Sequence, residues 1–250
     1  MTEDLSGRVA LVTGSSAGIG RHIAEAFARR GAAVVVHGND PGQCAQVHDE
    51  WLANGWRCMA SVADLADPSA PSALVQDVVA GIGQPDILVL NASIEIRETL
   101  LDLSTQAMAA QIAVNLTANL AMLQRLVPVM GDRGFGRVIA IGSVQEERPN
   151  AHHLFYAGTK AALTSMVLNL ARTERLPDVT FNVVRPGAIM TDRNRAALAD
   201  PAYAAAVLDR IPLGRLGEPA DCAGVCALLC SEAGSYINGA VIAVDGGLRL

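Results

Sequence analysis

Arg8-Val9-Ala10-Leu11-Val12-Thr13-Gly14-Ser15-Ser16-Ala17-Gly18-Ile19-Gly20 is the stretch that decides the fold. An apolar, β-branched run ends in glycines, and an apolar-periodic segment over 18–30 follows, stopped by Gly31. This reads as strand, glycine loop, helix. The glycines are not spaced as G-x-G-x-x-G, but the physics is shared. Gly14 permits a tight turn, Gly18 lets backbone approach a pyrophosphate, and Gly20 lets the helix pack on the strand. The helix N-terminus adds free N–H groups and a positive dipole. Gly14, Ser15, Ser16, Gly18, Ile19 and Gly20 are therefore the expected dinucleotide cradle.

The same alternation runs on. Strands are predicted over 34–37, 57–61, 86–90, 136–141, 179–184 and 240–244. Helices are predicted over 43–54, 67–82 and 153–174, with a long or broken helix over 104–130 and one more in each of 193–210 and 219–231. The strands are apolar runs, as when both faces of a sheet are covered. An α/β, doubly wound Rossmann fold follows, with a seven-stranded parallel sheet and helices on both faces. No linker or composition break divides the chain, so 1–250 reads as a single domain, with a substrate lid over about 190–215.

Composition narrows the function. The chain has 250 residues, 51% hydrophobic and 18% charged, which excludes a disordered polymer. Aromatics at 4% and a net charge of −6 argue against a nucleic-acid partner. The start, Met1-Thr2-Glu3-Asp4-Leu5, is acidic where a secretion signal is basic. No run of 18 apolar residues occurs, so no membrane association is expected. Five cysteines, an odd number without framework spacing, point to reduced thiols and a cytoplasmic location. Cys222, Cys226 and Cys230 share one helical face and read as core-filling side chains, and no metal site is expected.

The end of the second strand ordinarily meets the adenosine ribose. Here it reads His37-Gly38-Asn39-Asp40. No carboxylate stands at 37–39 to repel a 2′-phosphate, and no arginine stands there to bind one. The reading favours NADP over NAD, with His37 and Asn39 as donors and Asp40 opposing the phosphate.

Tyr156 and Lys160 stand at i and i+4 on one helical face. The chain's 19 basic residues are 18 arginines and this one lysine, so a compact ammonium was selected here over a forked guanidinium. A free tyrosine, with a pKa near 10, is a poor base at pH 7. Lowering it by about three pKa units takes roughly 4 kcal/mol, which one ammonium at about 4 Å supplies at an effective dielectric near 20. Lys160 is expected to bring Tyr156 to neutrality as an acid/base group. Ser143, thirteen residues earlier and just after a strand, can hydrogen-bond a substrate oxygen.

Taken together, these residues resemble the short-chain dehydrogenase/reductase family over nearly the whole chain. The resemblance rests on Thr13-Gly14-x-x-x-Gly18-Ile19-Gly20, Asp64-Leu65, Asn91-Ala92, Asn115, Ser143, Tyr156-x-x-x-Lys160 and Pro186-Gly187. It implies hydride transfer between nicotinamide C4 and a carbonyl or carbinol carbon. Tyr156 would give or take the hydroxyl proton, and Lys160 would also hold the nicotinamide ribose. Asn115 would bind a water linking Lys160 to solvent. Asp64 and Leu65 would meet the adenine. Asn91, Ala92 and Ser93, then Pro186, Gly187, Ile189 and Thr191, would line the nicotinamide. Asp64 also reads as a helix cap, Asn115 as a helix bend and Pro186-Gly187 as a turn. One departure stands out. The family usually shows Asn-Asn-Ala-Gly after its fourth strand, and this chain shows Leu90-Asn91-Ala92-Ser93. Ser93 lacks glycine's freedom, so its backbone is expected to avoid positive φ.

The polar segment 144–155 suits a hydroxylated ligand, or else is a solvated loop. Glu146 and the 186–191 segment look like sugar dehydrogenases of the family. Ser143, Glu146, His153 and Arg193 are the candidate substrate contacts. Arg193 and Arg195 read either as holding an anion, such as an aldonate or a phosphopantetheine, or as surface residues. The resulting expectation is an NAD(P)-dependent alcohol dehydrogenase acting on a sugar, polyol or aldonate. One alternative is a 3-oxoacyl-carrier-protein reductase, and another is a nucleotide-sensing protein without turnover, motivated by Ser93. The helices over 104–130 and 154–171 are apolar nearly all round, which calls for homo-oligomerisation, and the family resemblance implies a homotetramer or homodimer.

Overall fold

The computed structural model describes residues 3–250, apart from the side chains at 196 and 197. The acidic start read at Met1 and Thr2 therefore lies outside the described residues. Seven strands form one parallel sheet: β1 Val9–Val12, β2 Ala33–Gly38, β3 Cys58–Val62, β4 Ile87–Leu90, β5 Gly136–Ile141, β6 Val179–Pro186 and β7 Val241–Val244. Their order is β3-β2-β1-β4-β5-β6-β7. Pairing sets Leu11 beside Val35 on one side and Leu88 on the other, so β1 is an interior strand. The chain reverses direction across the sheet between β1 and β4, which opens a crevice at their carboxyl ends.

Side-chain alternation explains the two cores. Val9 and Leu11 point to one face and Ala10 and Val12 to the other. The first face is covered by α3 (Ala70–Gly81), α5 (Ala118–Arg133) and α6 (Leu154–Thr173). The second is covered by α1 (Gly18–Ala28), α2 (Pro41–Ala53) and α9 (Ala223–Cys230). Cys222, Cys226 and Cys230 are fully buried, the last two in this second core. Being sealed from water raises all three thiols above their ordinary pKa.

Two elements are finer than the sequence reading. The long or broken helix expected over 104–130 is broken, into α4 (Thr105–Ile112), a π-helical turn at Ala113–Thr117, and α5. The one helix expected within 193–210 is two, α7 (Asp192–Leu198) and α8 (Pro201–Leu208), because Asp200 and Pro201 restart it. The run Thr105–Arg133 also has the length and apolarity of a membrane-crossing segment, with a mean hydropathy of 1.2. Its Val114, Ala118, Met122, Leu126 and Met130 are packed in the first core.

Phe181 lies at the centre of that core and is 0% exposed. Phe181→Ala is expected to destabilise the protein by about 3–5 kcal/mol, read as a lower urea midpoint at fixed protein concentration.

Candidate active site

The glycine loop binds its neighbours through backbone. Gly14 has φ +69°, and a Cβ there would stand 3.1 Å from Asn91 Nδ2. A Cβ on Gly20 would stand 2.4 Å from the same atom and 2.5 Å from Gly14 O, so Gly20 is the close-packing glycine. Thr13 fixes the tail of β4, its Oγ1 accepting from the N–H of Asn91 and Ala92, each at 3.0 Å. The N-terminus of α1 has no side-chain cap and no acidic residue in its first turn. Its free N–H groups, an open cradle at Gly18 and a large cavity in front fit a dinucleotide phosphate.

That cavity, about 850 Å³, runs along the carboxyl edge of the sheet. Gly14, Ser16, Gly18 and Ile19 line it, as do His37, Gly38 and Asn39 at the ribose end. Asp64 and Leu65, then Asn91, Ala92 and Ser93, line its middle. Pro186, Gly187, Ile189 and Thr191 face them, and Ser143, Tyr156, Lys160, His153 and Arg193 complete the far end. Asp64 also caps the following turn, accepting from Ala66 N at 3.0 Å.

Four expected residues face elsewhere. Ser15 is 0% exposed and its hydroxyl donates to Val35 O at 2.7 Å, so it locks the loop onto β2. Gly20 packs between the loop and α1, as its missing Cβ requires. Asn115 sits in the π turn, where Oδ1 accepts from Ile94 N and Nδ2 donates to Ile94 O, both at 2.9 Å, and Nδ2 also reaches Thr159 Oγ1 at 3.0 Å. Its amide pins the segment after β4, and its carbonyl accepts from Asn119 Nδ2 at 2.8 Å. Glu146 is not a substrate contact. Its Oε1 accepts the Ser143 N–H at 2.7 Å and its Oε2 pairs with Arg185 at 2.8 Å, with only 3% of the side chain exposed. Ser143-x-x-Glu146 is a capping box, a pattern visible in the sequence. Arg185 also pairs with Glu147, so one cation joins the Ser143 loop to the strand that ends at Pro186.

His37 is 2% exposed, and its Nδ1 accepts the Gly14 N–H at 2.9 Å. Nε2 therefore carries the ring proton, and no group among the described residues accepts it. Burial pushes this imidazole down to about 4, so it is neutral at pH 7. Gly38 is required beside it, since a Cβ would stand 2.4 Å from Ser16 Oγ. Asp40 caps α2, accepting from Gln43 N at 3.0 Å.

Tyr156 and Lys160 lie on the buried face of α6, 6% and 2% exposed. The electrostatics differ from the sequence reading. Burial raises the Tyr156 phenol, opposed by the Arg193 charge and by hydrogen bonding from Ser93 and Ser143, while the Glu95 charge adds to the rise. Lys160 is not what lowers it. Its Nζ lies 5.8 Å from the phenol ring centroid and donates to Ile141 O at 2.7 Å. Burial pushes this amine down to about 7. An ammonium at 4 Å would lower the phenol only if neither group lost water, and both are buried.

Sequence reasoning missed Glu95, Arg97 and Asn150. His153 Nε2 lies 2.9 Å from Glu95 Oε1, and His153 Nδ1 lies 2.7 Å from Asn150 Oδ1. Arg97 Nε donates to the same Glu95 oxygen at 2.6 Å. No motif marks residues brought together from two loops. Ser93 keeps a negative φ, since Asp178 is the only non-glycine residue with positive φ among the described residues. Its carbonyl and hydroxyl receive the Arg193 guanidinium.

A doubly wound sheet with an uncapped helix at a glycine loop, and Ser143, Tyr156 and Lys160 in the same crevice, defines a nicotinamide-dependent oxidoreductase class. A family model described as enoyl-(acyl carrier protein) reductase matches residues 14–249. L-rhamnose 1-dehydrogenase (NAD(P)+) of Azotobacter vinelandii is 35% identical over 96% of each chain. A crystal structure of a 3-oxoacyl-(acyl-carrier-protein) reductase from Agrobacterium tumefaciens C58 with NADP bound is 40% identical, with a TM-score of 0.93 over 98% of this chain and 95% of that one. A gluconate 5-dehydrogenase from Burkholderia cenocepacia J2315 in complex with NADP and tartrate is 32% identical, with a TM-score of 0.93 over 98% and 96%. The chain belongs to the short-chain dehydrogenase/reductase family.

The buried lysine has a consequence for stability. The unfolded chain holds the Lys160 proton up to its ordinary value, 10.5, whereas the folded chain releases it near 7. Between those values the unfolded state binds more protons, so this group makes stability rise with pH. Urea midpoints are expected to rise more from pH 7 to pH 9 in the wild type than in Lys160→Met. Equal changes in the two proteins would contradict the assignment.

Proposed function

We propose that the chain is an NAD(P)-dependent oxidoreductase interconverting a secondary alcohol and a ketone. The observation that carries this reading is that Ser143, Tyr156 and Lys160 line the same cavity as the phosphate loop. When bound, the nicotinamide ring supplies the hydride acceptor or donor. Ser143 Oγ holds the substrate oxygen, oriented by the Glu146 capping box on its own backbone N–H. In oxidation Tyr156 takes the hydroxyl proton while its own phenol proton passes toward the neutral Lys160 amine, and in reduction both transfers reverse. Lys160 holds the coenzyme ribose and, titrating near neutrality beside Ile141 O, can relay that proton. Asn115 positions the 91–94 segment that floors the nicotinamide.

NADP is the favoured coenzyme. No carboxylate stands at 37–39, and the helix cap holds the Asp40 carboxylate on Gln43 N–H. The two relatives of known structure described above were crystallised with NADP. Residues 190–215, carrying α7 and α8 above the cavity, act as the substrate lid of a single domain. Arg193 on Ser93 and Asn194 on Arg97 close it over the site. The five cysteines are free thiols, which suits the cytoplasm. Met166 and Leu168, half-buried on α6 and outside the sheet-facing cores, support a homotetramer or homodimer.

Tyr156→Phe is expected to lower kcat/KM about 1,000-fold while NADPH binding changes less than about threefold. Turnover at the wild-type rate would remove the acid/base role. NADPH is expected to bind more tightly than NADH, and Asn39→Arg to widen the gap about tenfold. A wild-type preference for NADH would overturn the coenzyme assignment.

A further inference from the structure

The substrate end of the cavity contains a carboxylate with one oxygen to spare. Glu95 Oε1 carries two hydrogen bonds, from Arg97 Nε and from His153 Nε2. Oε2 receives none among the described residues, although the Glu95 side chain is only 9% exposed and lines the cavity. The rest of the cluster is immobilised. His153 packs edge-on to Tyr156 with ring centroids 6.3 Å apart, and Asn150 holds its other nitrogen. Burial works to raise the Glu95 carboxyl, and the hydrogen bonds from His153 and Arg97 overcome it, holding it at about 2. Glu95 is therefore a carboxylate, an acceptor with no proton to give, across the physiological pH range.

We infer that Glu95 Oε2 accepts a hydrogen bond from a substrate hydroxyl on the carbon next to the reacting one, which makes the preferred substrate a neutral polyol or sugar. This rests on the proposed function and selects within it. An acyl chain laid against Oε2 would leave a desolvated carboxylate oxygen unpaired, a costly arrangement. An aldonate carboxylate laid against Oε2 would meet like charge, and the guanidinium groups of Arg97, which contacts Glu95 and Asn194, and of Arg193, which contacts Ser93, are already committed. A hydroxyl donor satisfies the oxygen without a charge penalty. A site built to bind a hydroxyl also rejects the analogue that lacks it.

A matched substrate pair tests this. With NADP+ present, the wild type is expected to oxidise butane-2,3-diol with a kcat/KM about thirtyfold or more above that for butan-2-ol. Among larger probes, sorbitol or L-rhamnose should outrank both gluconate and, in the reverse direction, 3-oxohexanoyl-N-acetylcysteamine. Glu95→Gln turns the free oxygen into an amide donor at nearly the same shape. It should cut the diol preference about tenfold while NADPH affinity is unchanged, and Glu95→Ala should behave likewise. Tyr156-dependent turnover with no diol preference, or a preference retained in Glu95→Gln, would overturn the Glu95 role and leave the oxidoreductase reading standing. Gluconate or the thioester as the best probe would overturn the substrate class. NADPH binding with no Tyr156-dependent turnover of any probe would remove both readings.

Discussion

An amine sealed inside the protein, held by one backbone carbonyl, is the constraint on which the site depends. Lys160 Nζ donates to Ile141 O at the carboxyl end of β5, one helical turn from Tyr156. Away from water, neither an ammonium nor a phenolate is comfortable, so burial moves both groups toward their neutral forms. The pair is thereby a proton donor and a proton acceptor of adjustable charge, not a fixed ion pair. This also explains why the chain's one lysine stands here among 18 arginines, since a guanidinium could not lose its proton.

Around that pair, the fold spends its polar groups on aim. The Glu146 carboxylate grips the Ser143 N–H and Arg185, and Arg185 ties the loop after β5 to the end of β6. Asn115, in the π turn, bonds the Ile94 backbone on both sides and steadies the loop after β4. His37 braces the Gly14 N–H from β2. Each of these side chains acts through another segment, and each lies close to a strand's carboxyl end. The sheet order creates the crevice, and this second layer fixes its walls.

Much of this was legible in the sequence because the signals are local. Strand, glycine loop and helix at 8–30 gave the fold class, and the i, i+4 spacing gave the Tyr156–Lys160 face. The Asp200-Pro201 restart is equally local, an N-cap and a first-turn proline that divide 193–210. The π turn was not legible, since nothing in Ala113–Thr117 distinguishes it from α-helix before Asn115 finds Ile94. The Glu95–His153 contact joins residues 58 apart in sequence, and spacing carries no trace of it. Glu146 resembles the sugar dehydrogenases in sequence, whereas the same Ser143-x-x-Glu146 spacing also spells the capping box that occupies it. The sign of the Tyr156 shift failed for a different reason: pairwise attraction is visible in a sequence, and desolvation is visible only once burial is known.

The most direct measurement uses the single lysine. Labelling the protein with lysine carrying 13C at Cε yields one lysine side-chain signal, and following its chemical shift against pH titrates Lys160 alone. The account predicts a midpoint near 7, and a midpoint near the ordinary value, 10.5, would contradict it.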